Sequence, residues 1–134
     1  MCGSFESILN RDIRQERAVA VTRLRQVYLV AADFAAEVSF LKEVVGLALQ
    51  FQDGERWAQF STGDGSIAVA SREESLGAVS GSQVPVLAVN DLDQQLLALR
   101  GRGARLGEVR DMGEHGRTVL VQSPGGTTLA LFQK

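Results

Sequence analysis

The chain has 134 residues, of which 45% are hydrophobic and 22% are charged, and its formal net charge is -2. Such a chain is typical of one compact globular domain or of two small halves that share a core. The small negative charge gives no electrostatic reason to expect a nucleic acid or an anionic membrane as partner. There is no apolar run of membrane-spanning length and no secretory signal, and Cys2 has no second cysteine to pair with. These features predict a cytoplasmic protein.

Residues 1–22 differ from the rest and are interpreted as an N-terminal extension. An apolar stripe at helical spacing is formed by Phe5, Ile8, Leu9 and Ile13. Ser4 is a suitable N-cap for that helix. We expect an appended helix that lies on the domain or on a partner subunit, with a frayed or wrongly assigned start as the alternative. Acidic residues interrupt the arginines, which argues against a nucleic-acid-binding arm.

The first half of the chain predicts the order β-α-β-β-β. Residues 24–30 form the first predicted strand, and Asp33 can accept a backbone N–H and cap the helix that follows. Gly46 tolerates positive φ and should end that helix. Three more strands, separated by glycine-containing turns, are predicted at residues 47–52, 56–61 and 66–71.

The second half predicts the same order again. Residues 84–89 form a strand, Asp91 can cap a helix, and Gln94 could complete a capping box. Gly101 and Gly103 should end this helix. Three final strands are predicted near residues 107–110 and at residues 117–122 and 128–133.

The repeat defines the expected domain organisation. We predict a single domain over residues 23–133, made of one module at 23–71 and a second at 83–133. Residues 72–82 are polar and rich in Gly and Ser, and we interpret them as the linker between the modules.

Other motifs carry little chemistry. His115 is the only histidine and lies in a polar turn, where it is either an exposed turn residue or a group that closes over a ligand. The glycines of residues 101–107 follow a helix and lack the spacing of a dinucleotide-binding loop. Glu73 and Glu74 are more consistent with solvated charges than with a catalytic pair. There is no G-x-S-x-G nucleophile elbow.

The order of the motifs resembles the vicinal-oxygen-chelate superfamily, which includes glyoxalase I, bleomycin-resistance proteins and extradiol dioxygenases. QVYLVAAD at residues 26–33 is similar to the family's first strand and helix cap, and VLAVNDLD at residues 86–93 to the strand that opens its second half. VQSPGG at residues 121–126 resembles its last hairpin, although Ser123 stands where the family usually carries Asp. The resemblance covers residues 24–133.

This resemblance implies an α+β fold in which two βαβββ modules form a curved mixed sheet around a cleft. Metal-dependent members of the family place ligands at positions that correspond here to Gln26, Ala68, Val84 and Ala130. Only Gln26 has an oxygen to offer, whereas a divalent ion needs several N, O or S donors. We therefore expect no metal and no other cofactor, and we lean against an enzyme.

Strand alternation then predicts the lining of the cleft. Trp57 and Gln59 share one face of their strand, while Phe60, on the other face, suits the helix-packed side. Trp57 could instead belong to a dimer core or be a half-exposed packing residue. The predicted ligand-binding residues are Gln26, Tyr28, Trp57, Gln59, Val84, Val86, Ala130 and Phe132, with no catalytic residue among them. An apolar and aromatic lining with few polar groups is typical of sites for small organic molecules.

The leading hypothesis is a protein that binds a drug or metabolite without a metal ion. It would be similar to the bleomycin-resistance proteins, which implies antibiotic resistance by sequestration of the drug. The alternative is a metal-dependent lyase, isomerase or dioxygenase of the same superfamily, with donors from unexpected positions such as His115, Glu108 or Glu114. A third hypothesis is an interaction domain whose cleft is filled by core side chains.

We also expect a homodimer, because unpaired strands at the edges of a sheet favour pairing with another chain. The ligand, the pathway and the choice between pairing within a chain and exchange between chains stay open.

Overall fold

The computed structural model describes residues 20–134. The first half contains strand β1 (Val21–Val30), helix α1 (Phe34–Ser39), which continues as a π-helical turn (Phe40–Val45), and strands β2 (Ala48–Asp53), β3 (Trp57–Ser61) and β4 (Ser66–Ala70). The helix predicted within residues 1–22 lies almost wholly outside the described residues. Residues 21 and 22 belong to β1, which starts three residues earlier than predicted.

The second half repeats this order. It contains β5 (Gln83–Val89), α2 (Leu92–Arg100), β6 (Arg105–Leu106), β7 (Arg110–Asp111), a 3-10 turn (Gly113–His115), β8 (Arg117–Gln122) and β9 (Thr128–Gln133). The strand predicted near residues 107–110 is instead two short strands on either side of Gly107. The Gly107 N–H donates to the carbonyl of Leu120 at 2.8 Å, so the chain stays close to β8 between them.

The strands form one mixed sheet in the order β2-β3-β4-β1-β5-β9-β8-β6, with β7 also paired to β8. β1 and β5 pair antiparallel at the centre, while β4 and β9 lie parallel to them on either side. The first strand of each module therefore joins the two halves within one chain. The predicted α+β fold of two βαβββ modules is confirmed.

Local capping explains where the helices begin and end. The Asp33 carboxylate accepts a hydrogen bond from the N–H of Ala36 at 3.1 Å, and Asp91 accepts one from Gln94 at 3.2 Å. Both acidic caps satisfy amides that the first helical turn leaves without a partner. Gly46 ends the first helical segment with φ of 88°, a conformation that a residue with a Cβ adopts only with strain.

Three clusters of buried apolar residues lie on the two faces of the sheet. On one face, α1 packs through Phe34 against β3 and β4, and α2 packs through Leu92 and Leu96 against β8 and β9. The opposite face carries a third cluster that includes residues of both modules: Tyr28, Val30, Ala68, Ala70, Val84, Val86, Ala130 and Phe132. This shared cluster forms the floor on which the site is built.

The segment 72–82 between the modules consists of turns and is held to β1 by hydrogen bonds. Ser75 is fully buried, and its carbonyl accepts a hydrogen bond from the Tyr28 hydroxyl at 3.0 Å. The N–H of Gly81 donates to the carbonyl of Val30 at 2.7 Å. None of the helices in residues 20–134 has the length and apolar character needed to cross a membrane.

Candidate functional site

A cleft of about 390 Å³ lies on the face of the sheet that the helices leave uncovered. Six of the residues predicted from the sequence line it: Gln26, Tyr28, Trp57, Gln59, Val86 and Phe132. Val84 and Ala130 are not on its surface, since both are fully buried in the shared cluster. Strand alternation thus places all eight side chains on the same face of the sheet. The six residues that reach the surface of the cleft form its walls, and the two buried ones lie in the floor beneath it.

Two aromatic side chains form one wall of the cleft. The ring centroids of Tyr28 and Trp57 lie 5.7 Å apart, with an angle of 54° between the ring planes. This tilted arrangement lies in the range that aromatic pairs favour. Trp57 is half-buried, so part of its indole surface remains open to the cleft.

A hydrogen-bonded chain of side chains holds the indole in place. The Trp57 Nε1–H donates to Oε1 of Gln59 at 3.3 Å, and Nε2 of Gln59 donates to Oε1 of Gln50 at 3.0 Å. Gln59 was expected to orient a ligand directly. Both ends of its amide thus have a protein partner and help to position Trp57; because Nε2 has a second N–H, the role of Gln59 in orienting a ligand stays a prediction.

Tyr28 is fixed at the other end of the aromatic wall. Its hydroxyl donates to the Ser75 carbonyl, and burial raises the pKa of Tyr28 to about 12. Desolvation penalises the phenolate more than the neutral phenol, which explains the direction of the shift. At neutral pH Tyr28 is therefore a neutral anchor between the cleft and the segment 72–82.

Arg25 lines the cleft, and the sequence analysis did not find it. Strict alternation along β1 would place Arg25 on the other face of the sheet from Gln26, because neighbouring residues of a strand point to alternate faces. The register shifts here, since Leu24 is opposite Leu87 while Gln26 is opposite Val86. This β-bulge adds one residue to β1, and both Arg25 and Gln26 reach the cleft. The sequence of β1 does not mark the bulge, because residues 22–28 contain neither a glycine nor a proline; the nearest signal is Pro85 of the paired strand β5, which is opposite Val27.

The guanidinium of Arg25 stacks on an aromatic ring of the second module. Its Cζ lies 4.2 Å from the ring centroid of Phe132, which is a cation–π distance. Burial, and secondarily the charge of Arg23, lowers the pKa of Arg25. An arginine titrates so far above neutrality that it keeps its charge after this shift.

An ion pair borders the same cleft. Glu74 Oε1 and Arg110 Nη2 lie 3.0 Å apart and connect the segment 72–82 to β7. Glu74 was interpreted as a solvated charge, and the structure pairs it with Arg110 instead. His115 also lines the cleft while it stays exposed, so the two alternatives considered for it are compatible.

The positions that would hold a metal do not fit one. Ala68, Val84 and Ala130 have no donor atom, and Oε1 of Gln26 already accepts a hydrogen bond from the Ser66 hydroxyl at 3.0 Å. Within residues 20–134, no group of three or more His, Cys, Asp or Glu side chains converges. A divalent ion would therefore lack the donors that protein sites normally supply.

The sequence and the fold both point to one family. Residues 23–131 match the model of the Glyoxalase/Bleomycin resistance protein/Dioxygenase superfamily. The chain belongs to this superfamily. The match spans both βαβββ modules, and the resemblance stated from the motifs is confirmed. No curated protein matches the chain in sequence at a significant level.

Solved structures of this superfamily fold show how widely it is used. Methylmalonyl-CoA epimerase from Mycobacterium tuberculosis is 18% identical, with a TM-score of 0.64 over 84% of this chain and 88% of that one. Homoprotocatechuate 2,3-dioxygenase from Brevibacterium fuscum is 18% identical, with a TM-score of 0.67 over 87% of this chain but only 38% of its own length. The NAD-dependent benzaldehyde dehydrogenase from Legionella pneumophila is 17% identical, with a TM-score of 0.64 over 81% and 96% of the chains. At such identities the likeness shows the fold alone.

Proposed function

We propose that this protein binds a small organic ligand in the cleft without a metal ion. The observation that supports the proposal most directly is the composition of the walls, where Tyr28, Trp57 and Phe132 provide flat apolar surface beside a few polar groups. A volume of about 390 Å³ lies within the usual range for small-molecule pockets. Binding would come from apolar burial and aromatic contact.

The metal-dependent lyase, isomerase or dioxygenase is less well supported. It would need donors from Glu108, Glu114 or His115, and all three side chains are exposed. Of these, only His115 lines the cleft. The activities named for the similar structures differ from one another, so the shared fold gives no reason to choose one of them.

A filled interaction domain, the third hypothesis, fits the structure less well than a binding protein does. Such a domain would have lost its cleft, whereas the walls around Trp57 enclose a ligand-sized volume. Sequestration of a drug, as in antibiotic resistance, and a cytoplasmic location stay predictions.

We further propose that the protein is a homodimer. Strand β2 is at the edge of the sheet, and all six of its residues are exposed. Leu49 and Phe51 on this strand are large and apolar. Exposed apolar edge strands favour pairing with another chain. Phe51 also lines the cleft, which places the edge next to the proposed site.

A thermal-shift screen of small organic compounds tests the binding function. Compounds that raise the midpoint would then be titrated while the fluorescence of Trp57 is followed, because the chain has only one tryptophan. We expect saturable binding with a change in Trp57 emission. Hits that bind without affecting Trp57, or a diverse library without any hit, would contradict the proposal.

A further inference from the structure

The β-bulge in β1 gives the cleft a fixed positive charge. It brings the Arg25 guanidinium to the cleft, where its Cζ lies over the ring of Phe132, 4.2 Å from the ring centroid. Bulges are frequent next to binding sites, where they redirect one side chain. A cation–π contact of this kind uses the charge of the guanidinium and leaves its N–H groups available for recognition.

The two acidic side chains that line the cleft already form ion pairs with arginines other than Arg25. Asp53 Oδ2 lies 3.0 Å from Nη2 of Arg56, and Glu74 Oε1 lies 3.0 Å from Nη2 of Arg110. Arg25 forms no ion pair within residues 20–134. The cleft therefore carries an uncompensated positive charge beside its aromatic wall.

We propose that the ligand carries a carboxylate-type anion that pairs with Arg25, while its flat apolar part lies against Trp57. This inference depends on the proposed binding function and specifies the class of ligand. The planar guanidinium fork matches the two oxygens of a carboxylate, and such charge-assisted bonds are stronger than neutral ones.

A second donor lies beside Arg25. Because the Oε1 of Gln26 accepts from the Ser66 hydroxyl at 3.0 Å, its Nε2 is the end of the amide left to donate. Gln26 also lines the cleft, next to Arg25 in the chain. Two neighbouring donor groups fit an anion better than they fit a ligand that must itself donate.

A cationic aromatic ligand is the main competing class, because Tyr28, Trp57 and Phe132 could face a cation. The ring of Phe132 is already covered by the guanidinium of Arg25. A second cation nearby would be repelled by Arg25, while Asp53 and Glu74 are neutralised by their partners. The charge pattern therefore favours the anion.

Three naphthalene derivatives test the inference: naphthoate, the neutral naphthamide and the cationic naphthylmethylamine. Binding is followed by the indole N–H resonance of Trp57 in heteronuclear NMR spectra, which reports on this cleft alone. We expect naphthoate to bind roughly tenfold or more tightly than naphthamide, as a charge-assisted pair implies. Arg25→Gln should remove this preference and leave the affinity for naphthamide nearly unchanged.

Arg23→Gln is the matched control, because Arg23 is exposed and does not line the cleft. It removes the same charge two residues away and should keep the preference for naphthoate. If naphthoate and naphthamide bind the wild type equally, or Arg25→Gln keeps the preference, the role of Arg25 is wrong while the binding function stands. If none of the three shifts the Trp57 resonance, the proposed class of flat anionic ligand is contradicted, whereas the binding function itself is decided by the library screen.

Discussion

The rings of Tyr28 and Trp57 meet across a strand that lies between them. Tyr28 is on β1 and Trp57 on β3, and β4 separates the two strands in the sheet. Ala68 is opposite Tyr28 and Ala70 is opposite Trp57, so the intervening strand carries only small side chains beneath the rings. The small side chain of Ala68, a position that the resemblance implied for a metal ligand, thus leaves room for the aromatic wall.

Truncation of Trp57 tests the importance of that wall. Trp57→Ala should weaken the binding of a confirmed ligand by about 2–3 kcal/mol, an increase in Kd of roughly thirty- to a hundred-and-fiftyfold. The variant should still fold, because Trp57 is only half-buried. Calorimetric titration measures the loss, with Phe40→Ala as an aromatic control that does not line the cleft. An unchanged Kd, or a variant that simply unfolds, would make Trp57 a packing residue.

Tyr28 should make the protein sensitive to alkaline pH. Its folded pKa of about 12 lies above the value of 10.0 for a free tyrosine, so its stabilising contribution is complete below pH 10.0 and is lost as pH rises through about 12. The free energy of unfolding should fall by up to about 2 kcal/mol over that interval.

Denaturant unfolding at several pH values measures this loss. The tyrosinate absorbance should appear at higher pH in folded than in unfolded protein, and Tyr28 is the only tyrosine of the chain. Tyr28→Phe should be less stable at neutral pH because the Ser75 carbonyl loses its donor, and it should lack the alkaline slope. Tyrosinate formation at the same pH in both states would show that Tyr28 is not buried.

Gly116 beside His115 should be intolerant of a side chain. A Cβ there would lie 2.6 Å from the carbonyl oxygen of Gln133 and 2.9 Å from Cα of Lys134, and φ is 101°. Gly126 has a similar φ of 94° but open space around it. Gly126→Ala should therefore cost about 1 kcal/mol from backbone strain alone, and Gly116→Ala clearly more. Equal costs in denaturant unfolding would exclude a steric role for Gly116.

Local signals predicted much of the fold. Acidic caps at Asp33 and Asp91 and the glycine stop at Gly46 placed both helices, because each acts over a few neighbouring residues. Residues 117–122 and 128–133 were predicted with the bounds that β8 and β9 have. The short β6 and β7 were not, because two-residue strands have no periodicity to recognise.

The site was less predictable, because its decisive features depend on contacts between distant residues. Alternation placed Trp57 and Tyr28 on the cleft face, but it could not show the bulge that adds Arg25. Nor could it show that Glu74 pairs with Arg110, 36 positions away in the chain. Gly46 and the caps are local facts, whereas register and ion pairing emerge only when strands meet.

Light scattering tests the proposed homodimer. We expect a mass near twice 14.4 kDa over a wide range of concentration. Leu49→Lys places a charge on the exposed edge strand β2 and should weaken a dimer formed there, because edge lysines oppose strand pairing. Leu97→Lys on the exposed face of α2 is the control. A mass near 14.4 kDa at every concentration would contradict the proposal.

Binding to metal-free protein tests the central claim most directly. A ligand confirmed by its effect on Trp57 fluorescence would be titrated into protein treated with a chelator and checked by elemental analysis, and again after addition of Zn, Ni, Mn or Fe. Because Ala68, Val84 and Ala130 offer no donor atoms, we predict the same Kd in both titrations and no near-equimolar metal in untreated protein. Binding or turnover that appears only when a stoichiometric metal is restored would contradict the account.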